Sequence, residues 1–168
     1  MSQKRYEGTA IYLCELNESF FTQYMKAFSE RVRSLLHVSD SASELDYLRV
    51  RLEKKETKHA LFFCIFDKQT EQLIGAVEIR DQRETSNQLY GWLHEDHWGF
   101  GKYQEALRIA AQEYFIRTNH IFFSAHVDVK NKRSYRAHKK CGFADIGICN
   151  GPRGRQYQLV LRKGGGKA

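Results

Sequence analysis

The sequence predicts an α+β fold: a mixed, mostly antiparallel central sheet of about seven strands, with about four helices layered on its two faces. Two observations predict it. Segments of strand and helix character alternate in the order strand, two helices, three strands, helix, strand, helix, two strands. Three successive strands imply hairpins, whereas the strand–helix–strand run from 88 to 128 implies one parallel crossover. The length, 168 residues, suits one domain with a substantial core. Residues 1–163 are expected to form it, with the glycine-rich end 164–168 as a loose tail.

The elements follow from local pattern. "GTAIYLCEL" (8–16) alternates and reads as a first strand. Residues 17–36 read as one helix, with Phe20, Phe21, Tyr24 and Phe28 at helical spacing and Asn17 or Ser19 as its cap. A second helix spans 39–56, capped by Ser43 and striped by Leu45, Leu48 and Leu52. "HALFFCIFD" (59–67) is too short and too apolar for a surface helix and reads as a buried strand. Residues 71–81 return as its partner, 82–87 form a polar loop, and 88–95 give a fourth strand. The helix 102–119 places Tyr103, Leu107, Ala110, Ala111, Tyr114 and Phe115 on one face. The strand 121–128 sets Phe123, Ala125 and Val127 against Ser124 and His126. A short helix covers 131–143, and a hairpin around "NGPRG" closes the chain.

Composition narrows the class. Hydrophobic residues make up 42% and aromatics 13%, a globular balance. No apolar run approaches the ~20 residues a membrane-spanning helix needs. The first residues lack the apolar stretch of a secretory signal. Cys14, Cys64, Cys141 and Cys149 are scattered, which fits a reducing, cytoplasmic setting. Residues 130–168 carry eleven Lys and Arg against one acid, Asp145, a net +10; the first 129 residues net −3. Such a segment attracts a polyanion or simply solvates a surface.

"HWGFGKY" (97–103) places Gly99 and Gly101 between strand and helix. A helix opens with N–H groups that have no intrahelical acceptor, and its dipole makes that end positive. Glycine clears the way for an anion to reach those amides. A plain strand-to-helix turn explains the same pair. Neither a P-loop nor a full dinucleotide fingerprint is present, since no GK[ST] follows and position 104 is Gln104.

One strand later the chain reads "NKRSYRAHKKCGF". With "WLHEDHWGFGKYQEAL" (92–107), then Asn131, Ser134 and "KKCGF" (139–143), the sequence resembles the GNAT superfamily of acetyl-CoA-dependent N-acetyltransferases over about residues 8–162. Within it, "HWGFGKYQEA" is most similar to the Rim-type enzymes, which acetylate ribosomal-protein N-termini, and to polyamine-acetylating relatives. The resemblance implies a GNAT-like fold and acetyl-CoA as cosubstrate. It places the pantetheine arm on the backbone of Trp92, Leu93 and His94, and the pyrophosphate on the amides of His97, Trp98, Gly99, Phe100, Gly101, Lys102 and Tyr103. Asn131 and Ser134 would line the thiol end. It implies a proton donor to the sulfur at Ser134, or at His138, which stands where the family offers a tyrosine. Asp96 stands three residues before the first glycine, where many members have Gln or Arg and the Rim-type branch commonly has an acid.

Amine attack also needs a base. Glu78, mid-strand and opposite Val77 and Ile79, could take the proton or bind a cationic acceptor; His126 and His94 are further candidates. No metal is expected, because His94 and His97 with Glu95 and Asp96 lack a third spaced ligand. The expected acceptor is a primary amine on a basic molecule, a protein N-terminus or a polyamine. The alternative is a ribosome- or RNA-binding module on the same scaffold, using the basic segment with Tyr135, Tyr157 and Arg153.

Overall fold

A computed structural model of the chain describes residues 3–53, 61–80 and 87–165. The loop expected at 82–87 lies outside these except for Asn87, the tail 164–168 except for its first two residues. The end of the expected helix 39–56 and the start of the strand 59–67 also lie outside.

The described residues form one sheet of eight strands: β1 (Tyr6–Glu7), β2 (Ile11–Glu15), β3 (Leu61–Asp67), β4 (Leu73–Arg80), β5 (Gln88–Leu93), β6 (Phe122–Asp128), β7 (Ala144–Gly151) and β8 (Gly154–Arg162). Their order is β1-β2-β3-β4-β5-β6-β8-β7. Every neighbouring pair is antiparallel except β5 and β6, the crossover read from the sequence. Five helices accompany them: α1 (Phe21–Ala27), α2 (Glu30–Leu35), α3 (Ser41–Glu53), α4 (Lys102–Arg117) and α5 (Lys132–Lys140).

Alternation along the strands divides the core in two. Ile11, Leu13, Phe63, Ile65, Val77, Ile79, Leu89, Phe123, Ala125 and Leu159 pack under α4, against Leu107, Ala110, Ala111 and Tyr114. Tyr12, Cys14, Cys64, Phe66, Ala76 and Trp92 face the other way and are covered by Tyr24, Phe28, Val32 and Leu48 of the first three helices and their joints. The side of the sheet under α1–α3 and the side under α4 are thereby separated by one layer of backbone.

Three expectations are corrected. The first strand is two, because the Gly8 amide bonds back to the Ile11 carbonyl at 2.9 Å and turns the chain between β1 and β2. The helix 17–36 is broken: Asn17 caps a short turn through the Ser19 amide, and Ser29 stops and restarts the chain by accepting from the Val32 amide. α3 is capped by Asp40, whose carboxylate takes the Ser43 amide at 2.7 Å, so Ser43 is the third residue past the cap. Among the described residues no helix is long and apolar enough to cross a membrane.

Ser29 does a second job: its hydroxyl donates to Glu95 at 2.6 Å and ties α2 to the turn after β5. Ser29→Ala is expected to cost about 1–2 kcal/mol, the usual range for a lost cap, read as a fall of several degrees in Tm.

Candidate active site

β5 and β6 pair over only two residues, Gln88↔Ser124 and Leu89↔Ala125, and then part. The rest of β5 has an open edge. Which groups point into it follows from the ladder on its other side. The His94 amide bonds to the Ile74 carbonyl at 2.8 Å, so by antiparallel alternation Trp92 and Tyr90 also turn their backbone groups to β4. Gly91 and Leu93 turn theirs to the gap. The Trp98 indole already donates to the Leu93 carbonyl at 2.7 Å; among the described residues the Leu93 N–H and both polar groups of Gly91 have no strand partner on that side. Of the three residues expected along a pantetheine arm, Leu93 faces the gap; Trp92 and His94 do not, and Gly91, which the sequence did not single out, does.

The far end of β5 runs through a turn at Glu95–His97 into the glycine pair. Gly99 and Gly101 have φ of +89° and +75°, and a Cβ added at either would meet nothing within 4 Å. The backbone conformation, not crowding, requires glycine here. Gly101 caps α4 without a side chain. Among the described residues the amides of Gly99 to Gln104 make no backbone hydrogen bond before Glu105 N–H reaches the Gly101 carbonyl. The loop therefore presents unobstructed donors at the positive end of a sixteen-residue helix. Cations flank it: the guanidinium carbons of Arg133 and Arg31 lie 3.4 and 5.0 Å from the Trp98 ring centroid. Burial, then the charge of Arg31, lowers the Arg133 pKa. Lys102 pairs with Asp67 at 2.5 Å and touches His97 Nδ1 at 3.1 Å.

On the β6 side, Asn131 caps α5 by accepting from the Ser134 amide at 3.1 Å, which fixes the Ser134 hydroxyl at the cleft. His138, one turn on, is 3% exposed. Its Nδ1 lies 2.7 Å from the Ser134 carbonyl and must carry the proton donated there; the Ser134 hydroxyl is 3.4 Å away. Nε2 is then a bare lone pair, buried and without a hydrogen-bond partner. Burial holds the imidazole pKa below its usual value despite that hydrogen bond. His138 thus has no proton free for the cleft, while Ser134 keeps its own. A phenol missed by sequence reasoning stands opposite. Tyr103 reaches from α4 to Gly91 so closely that a Cβ on Gly91 would meet its Oη at 2.4 Å. Nothing in the pattern signalled it, because the spacing of Tyr103 reads as core.

Gly91, Tyr103, Asn131, Ser134 and His138 line one cleft of about 700 Å³, shared by Tyr24, Tyr47, Glu44, Glu78, Tyr90 and His126. Glu78 is 4% exposed. Its carboxylate is taken up by Arg51 Nε at 2.6 Å, Arg80 Nε at 3.2 Å and the Tyr47 hydroxyl. Glu44, 9% exposed, accepts from Tyr24 at 2.7 Å, and Tyr24 in turn accepts from the Trp92 indole at 3.1 Å. No cation pairs with it, and burial raises its pKa. His94 lies between Glu95 and Asp96 at the turn, at 3.9 and 3.7 Å.

The family model for the GNAT acetyltransferase domain matches residues 15–144. The chain belongs to the GNAT acetyltransferase family. Its fold recurs in solved structures of low identity. RimL, a ribosomal L7/L12 alpha-N-protein acetyltransferase, superposes with a TM-score of 0.81 at 14% identity, covering 97% of this chain and 96% of its own. The ribosomal-protein-S5-alanine acetyltransferase from Vibrio fischeri gives 0.77 at 16%, covering 98% and 100%. MccE, a microcin C7 self-immunity acetyltransferase solved with acetyl-CoA and AMP, gives 0.78 at 16%, covering 93% and 94%. No curated protein sequence matches the chain.

A GNAT acetyltransferase takes its acetyl group from acetyl-CoA, and the residues present fit that cosubstrate. The glycine loop offers a cradle a diphosphate can fill, and Gly91 and Leu93 offer backbone partners at an open strand edge. Gly101→Ala puts a methyl group on a left-handed residue and is expected to weaken coenzyme A binding by about tenfold in calorimetry, alongside roughly 1–2 kcal/mol of backbone strain. Acid sensitivity follows from three imidazoles, His97, His126 and His138, all lowered first by burial. In the unfolded chain each takes up a proton near pH 6.5; in the folded chain each does so only below that. Their contribution is whole above pH 6.5 and is lost as pH falls toward the folded values. Tm of this acetyltransferase should drop between pH 6.5 and 5, and His138→Gln should flatten the drop.

Proposed function

We propose that the protein transfers acetyl groups from acetyl-CoA to the α-amine of a protein N-terminus by direct attack of the amine on the thioester. The carrying observation is the parting of β5 and β6, which opens the sheet between the glycine loop and a second face able to admit the acceptor. Acetyl-CoA supplies an acyl group activated by its bond to sulfur. The chain supplies the rest. The glycine loop and α4 amides hold the diphosphate. The open N–H groups of Gly91 and Leu93 orient the arm and are aimed to polarise the acyl oxygen. Ser134 and Tyr103 are hydroxyl donors facing the departing sulfur from α5 and α4, and His138 sets Ser134 by bonding its carbonyl.

The acceptor enters from the α1–α3 side. A carboxylate without a cation, Glu44, favours a positively charged amine there. The wall around it is mixed, with Leu35, Val38, Tyr47 and Tyr90 beside Glu78 and Arg80. Glu78 is already neutralised by two arginines. One free carboxylate among aromatic and aliphatic groups suits a single ammonium followed by a peptide better than the several charges of a polyamine. The names of the ribosomal-protein acetyltransferases that share the fold support the same acceptor class.

The test is release of coenzyme A thiol, with mass analysis of the acceptor, over a panel of N-terminal peptides and spermidine. Turnover with peptides that is at least tenfold more efficient than with spermidine supports the reading; the reverse order refutes it. Ser134→Ala and Tyr103→Phe should each lower kcat about 10–100-fold, with KM for acetyl-CoA changed less than about threefold, because each acts on charge that develops only during bond cleavage.

A further inference from the structure

The reading above leaves the amine's proton without an acceptor, and we infer that His126 is the general base, a role that rests on that reading. Ser124 pairs with Gln88 and Ala125 with Leu89 across the last bonded stretch of β5 and β6. Paired residues of a parallel ladder share a face. His126 is therefore the first β6 residue past the parting, on the face of Tyr90 and Trp92, where the acceptor enters. It lies in the strand row Phe62–Glu78–Tyr90 on one side of the gap and Gln158 on the other. It lines the cleft with Ser134, Tyr103 and Gly91.

Two further observations separate it from the other candidates. Among the described residues its ring has no hydrogen bond or ion pair, whereas Glu78 has three partners and both nitrogens of His138 are buried, one of them committed. And it is half-buried, so a cleft molecule can reach it. The charged and titratable groups around the cleft are Tyr24 of α1, His37 after α2, Glu44 and Tyr47 of α3, Glu78 and Arg80 of β4, Tyr90 of β5, Tyr103 of α4, Asp128 of β6, His138 of α5 and Arg153 of the β7–β8 turn. None shifts His126, whose lowered pKa comes from burial alone. The imidazole is neutral at physiological pH and holds a free lone pair.

In the step, the acceptor ammonium first releases one proton to solvent, and the nitrogen lone pair of the neutral amine so formed makes the bond to the acetyl carbon. The carbon–sulfur bond breaks with its electron pair passing to sulfur. The proton lost by the amine nitrogen goes to the unprotonated nitrogen of His126, and the sulfur regains one from the hydroxyls of Ser134 or Tyr103, resupplied by solvent. Amine and thioester become amide and thiol, with no other reactant.

The experiment compares wild type, His126→Gln and His126→Ala with a peptide acceptor, measuring coenzyme A release from pH 5 to 9, with acetyl-CoA thermal shift as the check on folding. Wild type should lose kcat/KM on an acid limb lying below pH 6.5. Both variants should lose about 10²-fold or more in kcat at neutral pH, in the range of general base catalysis. They should lose the acid limb and keep the thermal shift. Added imidazole should restore at least tenfold of the rate to His126→Ala but not to His126→Gln, whose side chain fills the space. Glu78→Gln should keep the limb. A His126→Ala enzyme within twofold of wild type overturns the inference, as does a slow one with the limb intact and no response to imidazole. If wild type itself releases no thiol, it is the acetyl-transfer reading that fails.

Discussion

Two residue pairs hold β5 to β6, and the rest of the molecule is arranged around their parting. A sheet normally satisfies its backbone by unbroken pairing. Here one strand turns an edge without a strand partner inward, and the edge persists because it borders an open cleft instead of a close-packed core. Trp98 covers one of its groups, the Leu93 carbonyl. The parting is sustained by what lies at its two ends. On one side α4 packs across the sheet through Leu107, Ala110, Ala111 and Tyr114. On the other, β6 is drawn away by its seven-residue pairing with β8.

That arrangement brings together groups from distant parts of the chain without long loops. The glycine loop comes from the start of α4, the two cleft hydroxyls from α4 and α5, and the opposite wall from α1, α3 and β4. Among the described residues the gap joins the two faces of the sheet. In the proposed reaction, a base on β6 and hydroxyl donors on α4 and α5 would act on different reacting atoms, which would keep proton uptake and proton delivery apart.

The order of elements along the chain, the crossover and the glycine loop were legible because each is local: period-two strands, a helical stripe, a glycine pair at a junction. Asn131 and Ser134 were legible as spacing and remained so in space. The break at Ser29 was written in the sequence as a capping residue, but the phenylalanine spacing on both sides concealed it. The cleft wall was not legible. Glu44 sits on a helix whose leucine stripe pointed elsewhere, with Leu48 buried and Leu45 and Leu52 only half so. A glutamate there reads as surface until Tyr24, twenty residues away, is seen to reach it. Glu78 was found, but not the two arginines and the tyrosine that occupy it. Tyr103 was found for its amide, and its phenol went unnoticed because it approaches Gly91 across the sheet.

The tip of the β7–β8 hairpin rests on the end of α2 through one exposed contact, Arg153 donating to the Leu36 carbonyl at 2.8 Å. A single hydrogen bond of this kind is worth about 1 kcal/mol, so the hairpin tip behaves as a latch and not as a wall. The floor of the cleft, by contrast, is locked by ion pairs and close-packed rings. Under the proposed function, a peptide acceptor would pass beneath that tip, held at its first residue by the cleft and unconstrained in the length of what trails behind.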